Sequence, residues 1–190
     1  MTPEESLQTV LDCLERSGIS YMLTGSFAGN MHGVPRTTHD ADVVIDPDPS
    51  CLRRFVQTVS DRFYVDEAVA LEALEKRGMF NVICYESGFK VDLIIRKVRP
   101  FSKEEFARKR LHDFLGSTRW FATPEDTILA KLEWSRMGGS ERQLNDAVGI
   151  AKVQAGNLDI GYLQRWAQEL GVRELLQRLL GELEKGESDG

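Results

Sequence analysis

The stretch from Leu23 to Asp46 constrains this 190-residue chain more than any other part of it. It reads Leu-Thr-Gly-Ser-Phe-Ala-Gly-Asn-Met-His-Gly-Val-Pro-Arg-Thr-Thr-His-Asp-Ala-Asp-Val-Val-Ile-Asp. Gly25 and Ser26 are followed by thirteen residues and then by two aspartates, Asp40 and Asp42, one residue apart. Asp40 to Ile45 has the period-two alternation of a strand, which puts Asp40 and Asp42 on one face and Ala41, Val43 and Ile45 on the other. Two neighbouring carboxylates repel unless a proton or a cation stands between them. Oxygen-only ligands favour a hard divalent cation such as Mg²⁺. Upstream, Tyr21 to Leu23 reads as the end of a buried strand and Ser26 as the opening of a helix. A glycine at such a turn lets backbone approach a ligand, and the helix N-terminus offers free N–H groups to phosphate. A lone Gly-Ser is a turn and a lone Asp-x-Asp is a solvated edge. Together, between apolar strands, they point to nucleoside triphosphate chemistry.

The pattern resembles the nucleotidyltransferase superfamily related to DNA polymerase beta, whose signature is hydrophobic-Gly-Ser, about a dozen residues, Asp-x-Asp on a strand and a third carboxylate on a later strand. Gly25, Ser26, Asp40 and Asp42 match its first part, and Asp92 in Phe-Lys-Val-Asp-Leu-Ile-Ile matches the third carboxylate. Within the superfamily the chain is most similar to small bacterial enzymes of abortive-infection and toxin–antitoxin systems. Ala-Thr-Pro-Glu-Asp-Thr-Ile-Leu-Ala-Lys-Leu at 122–132 and Arg-Gln-Leu-Asn-Asp at 142–146 carry that likeness. The resemblance implies an α+β fold: a minimal nucleotidyltransferase core with a mixed sheet over residues 1–122 and a C-terminal helical bundle over 123–190. It implies two Mg²⁺ ions, with Mn²⁺ as the alternative, held by Asp40, Asp42 and Asp92. Asp92 would also help take the acceptor proton, and Gly25 and Ser26 would cradle the phosphates of the triphosphate. Lys131 is implied as a phosphate contact, although a lysine at the edge of an apolar helix face is ordinarily a snorkelling surface residue. Asp146 and Arg36 are further candidates. Asp146 is equally well read as an exposed ion pair with Arg142 one turn earlier, and Arg36 as a surface arginine that could reach a phosphate or Asp42.

Composition sets bounds on partners and compartment. The net charge is −6, with 42% hydrophobic and 28% charged residues, so nothing advertises general nucleic-acid binding. The stretch from Lys90 to Arg110 is nevertheless basic, and its Arg96–Arg110 part leads to the expectation of an RNA acceptor. A protein hydroxyl and a small molecule such as an aminoglycoside are the other acceptors, and an antitoxin-type protein is the partner the resemblance implies. Cys13, Cys51 and Cys84 have neither disulfide nor metal spacing, and no signal peptide or membrane-length apolar run is present, so a reducing cytoplasm is expected.

The elements follow from local signals. Thr2-Pro-Glu-Glu caps a helix that ends at Gly18, Ile19–Thr24 is a strand, and Leu52, Phe55, Val56 and Val59 mark a helix. A short helix covers Glu67–Lys76, and strands Met79–Glu86 and Phe89–Arg96 join at Ser87-Gly88. On the second, Asp92 interrupts a hydrophobic strand and demands a partner. If that strand lies beside the 40–45 strand, the three carboxylates converge. Ser102-Lys-Glu-Glu reads as a capping box opening a helix to about Leu111, and Thr118–Ala122 as an edge strand. Helices then start at Thr123-Pro124, at Ser140 with Gln143 as its box partner, and at Asp159, and a last leucine-rich one ends in a frayed polar tail.

Other chemistries lack their residues. A nucleophile elbow needs a glycine two residues after Ser26, where Ala28 stands, and there is no P-loop, no Gly-x-Gly-x-x-Gly and no zinc spacing among His32, His39 and His112. An aspartate-nucleophile phosphatase motif would follow an apolar run, whereas Arg-Thr-Thr-His precedes Asp40. Three alternatives remain: a non-catalytic nucleotide- or partner-binding member of the same fold, an antibiotic-modifying nucleotidyltransferase, and a sugar-nucleotide glycosyltransferase. Gly25-Ser26 and Asp92 count against the last.

Overall fold

A computed structural model describes residues 1–188. The expected frayed tail lies partly outside them, at 189–190. The chain divides into two compact units, Met1–Thr24 with Thr37–Phe121, and Gly25–Arg36 with Ala122 onward. The segment 25–36 therefore belongs with the helices, which a single boundary after residue 122 did not provide for.

The first unit is built on a seven-stranded mixed sheet of order β3-β4-β5-β2-β1-β7-β6. The strands are β1 (Ser20–Leu23), β2 (Asp40–Asp46), β3 (Phe63–Tyr64), β4 (Met79–Cys84), β5 (Lys90–Ile95), β6 (Arg110–Phe114) and β7 (Ser117–Phe121). β2 runs parallel to β5, and β1 parallel to β7, while the remaining pairs are antiparallel. Four helices belong to this unit: α1 (Pro3–Arg16), α3 (Pro49–Val59), α4 (Glu67–Lys76) and α5 (Pro100–Arg108). Both halves of the α1 capping box form. The Glu5 amide donates to Thr2 Oγ1 at 3.1 Å and the Thr2 amide to Glu5 Oε2 at 2.8 Å. Leu7, Leu11 and Leu14 of α1 and Leu52 and Phe55 of α3 are fully buried with Val43, Ile45, Val91, Leu93 and Ile95. The alternation along β2 and β5 thus does what it predicts: apolar side chains fill the core and the carboxylates stay on the other face.

Three local expectations are corrected. Ser102 does not cap α5; the helix starts at Pro100, with Arg99 at the N-cap, and buried Ser102 accepts from Arg99 Nε at 3.0 Å. Proline at the first helical position is already preorganised, and this outweighs a capping box two residues later. The helix stops at Arg108, and Arg110–Phe114 forms β6. β6 then takes the sheet edge, so β7 is an interior strand between β1 and β6. Ser140 does stand at the N-cap of its helix, but its side chain makes no capping bond, and Gln143 is engaged elsewhere.

The second unit holds α2 (Gly25–His32), α6 (Pro124–Gly138), α7 (Glu141–Val153), α8 (Ile160–Glu169) and α9 (Arg173–Ser188). Thr123 caps α6, and its hydroxyl donates to Asp126 Oδ2 at 2.7 Å. Asp126 is completely buried and also accepts from the Tyr162 hydroxyl at 2.5 Å. The Thr-Pro-Glu-Asp motif is in this respect an anchor between α6 and α8. α2 lies against α6 and α7 through small residues. A Cβ on Gly29 would stand 3.1 Å from Lys131 Cε, and one on Gly33 would stand 2.9 Å from Ile150 Cγ1 and 3.1 Å from its Cα. Gly33→Ala has no flexible chain end to push aside, so urea denaturation should show a loss of about 1–3 kcal/mol. No helix among the described residues is long and apolar enough to cross a membrane.

Candidate functional site

The sheet unit carries the carboxylates. Parallel pairing sets Asp42 directly opposite Asp92, and Asp40 opposite Lys90, while the antiparallel β4 sets Asn81 opposite Asp92. Strand alternation keeps Asp40 on the same face as Asp42, so the three aspartates occupy adjacent positions on one side of two neighbouring strands. Asp40 Oδ1 accepts from Thr38 Oγ1 at 3.2 Å. Asp92, only 7% exposed, is gripped on both oxygens: the Asn81 amide donates to Oδ1, and the Lys90 ammonium to Oδ2 at 2.8 Å. That hydrogen bond raises the Lys90 pKa against the opposing effect of burial, and the charges of Asp92, Asp40 and Asp42 add to it. The ammonium is therefore the local counter-charge to all three acids.

As a metal site, the donor set fits in kind: three carboxylates on rigid strands suit a hard divalent ion. No three His, Cys, Asp or Glu side chains among the described residues form a ready-made cage. An ion at Asp92 would share that carboxylate with Asn81 and Lys90. Thr38 and Asn81 are contacts that sequence reasoning missed, because Asn81 depends on strand register and Thr38 on a short bond within the loop before β2, whereas alternation along β5 already puts Lys90 on the face of Asp92.

The helical unit gathers the other candidates. Gly25 has φ +59° at the head of α2, a left-handed conformation that favours glycine. Its neighbour Thr24, in the sheet unit, donates its amide to the Asp42 carbonyl at 3.0 Å. Arg36 donates from its guanidinium to Ser26 Oγ at 2.9 Å and to Asp146 Oδ2 at 3.0 Å. Lys131 donates to the same Asp146 oxygen at 2.9 Å and to Gln143 Oε1 at 3.2 Å. Lys131 is 3% exposed, so it is a buried cation rather than a snorkelling one. Asp146 turns to Arg36 and Lys131 rather than to Arg142. Burial alone would push its carboxyl up, but hydrogen bonds and charge from those two cations outweigh it and hold the group below its ordinary range. Ser26, Asn30, Arg36 and Asp146 line a cavity of about 200 Å³ in this unit.

Much of the basic stretch serves the fold. Arg96 pairs with Asp46 at 2.8 Å, Lys109 sits 3.8 Å above the Phe106 ring and donates to Ser20 Oγ, and Arg99 lies over Phe101. Lys97, Lys103 and Arg110 are exposed.

This mixed sheet with its attached helices is a nucleotidyltransferase-type α+β fold. No family model matches the chain, and no curated protein matches its sequence. Solved structures do match its fold. An antigenic nucleotidyltransferase-like protein from Paracoccidioides brasiliensis superposes with a TM-score of 0.59 at 15% identity, covering 94% of this chain and 92% of the other. ANT(2'')-Ia, solved with adenylyl-2''-tobramycin, gives a TM-score of 0.58 at 11% identity over 89% of this chain and 98% of its own. The lincosamide antibiotic adenylyltransferase LnuA, lincomycin-bound, gives 0.53 at 13% identity over 79% and 97%.

Proposed function

We propose that the chain is a metal-dependent nucleotidyltransferase that moves a nucleoside monophosphate from a nucleoside triphosphate to an acceptor hydroxyl. The observation that carries this reading is the register of β2 and β5, which puts Asp42 beside Asp92 with Asp40 on the same face. Asp40, Asp42 and Asp92 would hold Mg²⁺, or Mn²⁺ in its place, which when bound neutralises charge at the reacting α-phosphate and on the departing pyrophosphate.

The chain's own groups do the rest. Gly25, Ser26 and the first-turn amides of α2 receive the terminal phosphates, with Lys131 and Arg36 supplying positive charge. Asp92 accepts the proton of the attacking hydroxyl. The new bond joins the acceptor oxygen to the α-phosphorus, and the bond from that phosphorus to the bridging oxygen breaks. Asp146 holds Lys131 and Arg36 in place.

The toxin-type role and an antitoxin-like partner are extensions of this reading that rest on the motifs at 122–132 and 142–146, and a cytoplasmic setting is one that rests on the unpaired spacing of Cys13, Cys51 and Cys84. For the acceptor, the engagement of Arg96, Arg99 and Lys109 by the protein's own side chains favours a small hydroxyl compound over the RNA end expected from the basic stretch. Incubation with each α-labelled nucleoside triphosphate, Mg²⁺ and a cell extract decides the acceptor class and whether the chain is catalytic. Label should enter the small-molecule fraction and depend on Mg²⁺. Label in RNA would restore the RNA acceptor, and no incorporation from any triphosphate would favour the non-catalytic alternative.

A further inference from the structure

We infer that Lys90 is a built-in counter-ion that competes with the divalent cation for Asp92, so that loading the metal requires this side chain to leave the carboxylates. The inference rests on the reading of Asp40, Asp42 and Asp92 as metal-binding. Lys90 and Asp92 lie two residues apart on one face of β5, and their partners on β2 are Asp40 and Asp42. The ammonium thus belongs to a four-residue patch with three negative corners. Its Nζ is 2.8 Å from Asp92 Oδ2, and Asn81 takes Oδ1, so both oxygens of the most buried of the three acids are in use.

The two groups that hold Asp92 differ in what they can do when a cation arrives. Asn81 is a neutral amide fixed on the neighbouring strand, and a carboxylate oxygen has lone pairs enough to serve both an amide and a metal. Lys90 is a cation, and two cations on one carboxylate oxygen repel. Its side chain is 39% exposed on a flexible four-carbon stem, whereas that of Asp92 is 9% exposed. Lys90 is therefore the member that can swing into water, and Asp92 the one that stays. In the metal-free chain the same ammonium offsets repulsion among the three acids.

Mn²⁺ serves as the probe, with its binding followed by electron paramagnetic resonance and by calorimetry on wild type, Lys90→Met, Lys90→Gln and Asp42→Asn. A part-exposed monovalent pair changes a binding constant a few-fold, and the double charge of the metal doubles the exponent, so Lys90→Met should bind Mn²⁺ about tenfold more tightly. Lys90→Gln is one atom shorter but keeps a hydrogen-bond donor without the charge, and it should show the same gain. The metal-free variants should melt about 2–5 °C below wild type, and Mn²⁺ should raise their melting temperature by more than it raises that of wild type. Equal Mn²⁺ affinity in wild type and in either folded Lys90 variant overturns the counter-ion role while leaving the metal site standing. Absence of Mn²⁺ binding in wild type, or binding that Asp42→Asn leaves intact, overturns the metal-site reading and this inference with it.

Discussion

Asp42→Asn should abolish nucleotidyl transfer while leaving a folded protein. Carboxylate-held metal contributes several kcal/mol to phosphoryl transfer, which corresponds to a rate loss of roughly a thousandfold or more. The fold should tolerate the change, because asparagine keeps the shape of aspartate at this half-buried position and two charge effects oppose each other. The neutral amide would no longer repel Asp92, its partner in the β2–β5 register, but it would no longer attract the Lys90 ammonium either. The net stability change should lie within about 0.5 kcal/mol. Asp40→Asn should behave alike. Asp92→Asn is a poorer probe, since Asp92 is buried and doubly hydrogen-bonded and its loss would lower stability and activity together. Label incorporation, with circular dichroism on the same samples, checks the result, and wild-type rates in Asp42→Asn would remove the carboxylates from the mechanism.

The largest stability effect should come from Asp146→Ala. This carboxylate faces Arg36 and Lys131 at once, and Lys131 is buried. Removing one side of a buried pair strands charge in a poorly solvated place, so a loss of about 3 kcal/mol is expected in urea unfolding. The pH dependence separates this from simple packing loss. The folded-state carboxyl of Asp146 titrates below its unfolded value of about 3.9, so its contribution is fully present above that pH. It disappears as pH falls through the depressed folded value. The difference in stability between wild type and Asp146→Asn should therefore be constant from pH 5 to 7 and shrink below about pH 4. A difference that does not change across this range would mean that Asp146 is not held by its two cations. Lys131→Met keeps the stem that packs on Gly29, and so probes the charge with less damage than Lys131→Ala.

What could be read from the sequence depended on how local each signal was. β2 was legible because Asp40–Ile45 alternates cleanly, and β5 because one carboxylate interrupts an apolar run just after a Ser-Gly turn. The helix expected over Glu67–Lys76 is α4, with the same bounds in the structure. β3 has two residues and offers too little pattern to detect. β6 escapes sequence reading because Arg110–Phe114 is an edge strand with no buried side chain to give a period. The same limit applies to the candidate site. The Asn81 contact to Asp92 depends on the register of β4 and β5, and burial of Lys131 depends on α7 bringing Asp146 to α6. Neither is encoded within a short window. The segment 25–36 is the clearest case, since Gly29 and Gly33 make sense only beside helices that come much later in the chain.

That segment also sets a timetable. α2 ends at His32, and its packing partner α6 does not begin until Pro124, so roughly ninety further residues must be synthesised before α2 has a surface to dock on. At typical elongation rates that is on the order of 5–20 s. During this time the sheet strands on either side, β1 and β2, can already pair as antiparallel neighbours, leaving 24–39 as a loop whose closure is entropically cheap. Chains cut at residue 122 would stay in that intermediate state permanently. A nascent chain stalled there would present a small, glycine-rich helix without its partners, and chaperone capture should peak at that length and fall once α7 has emerged.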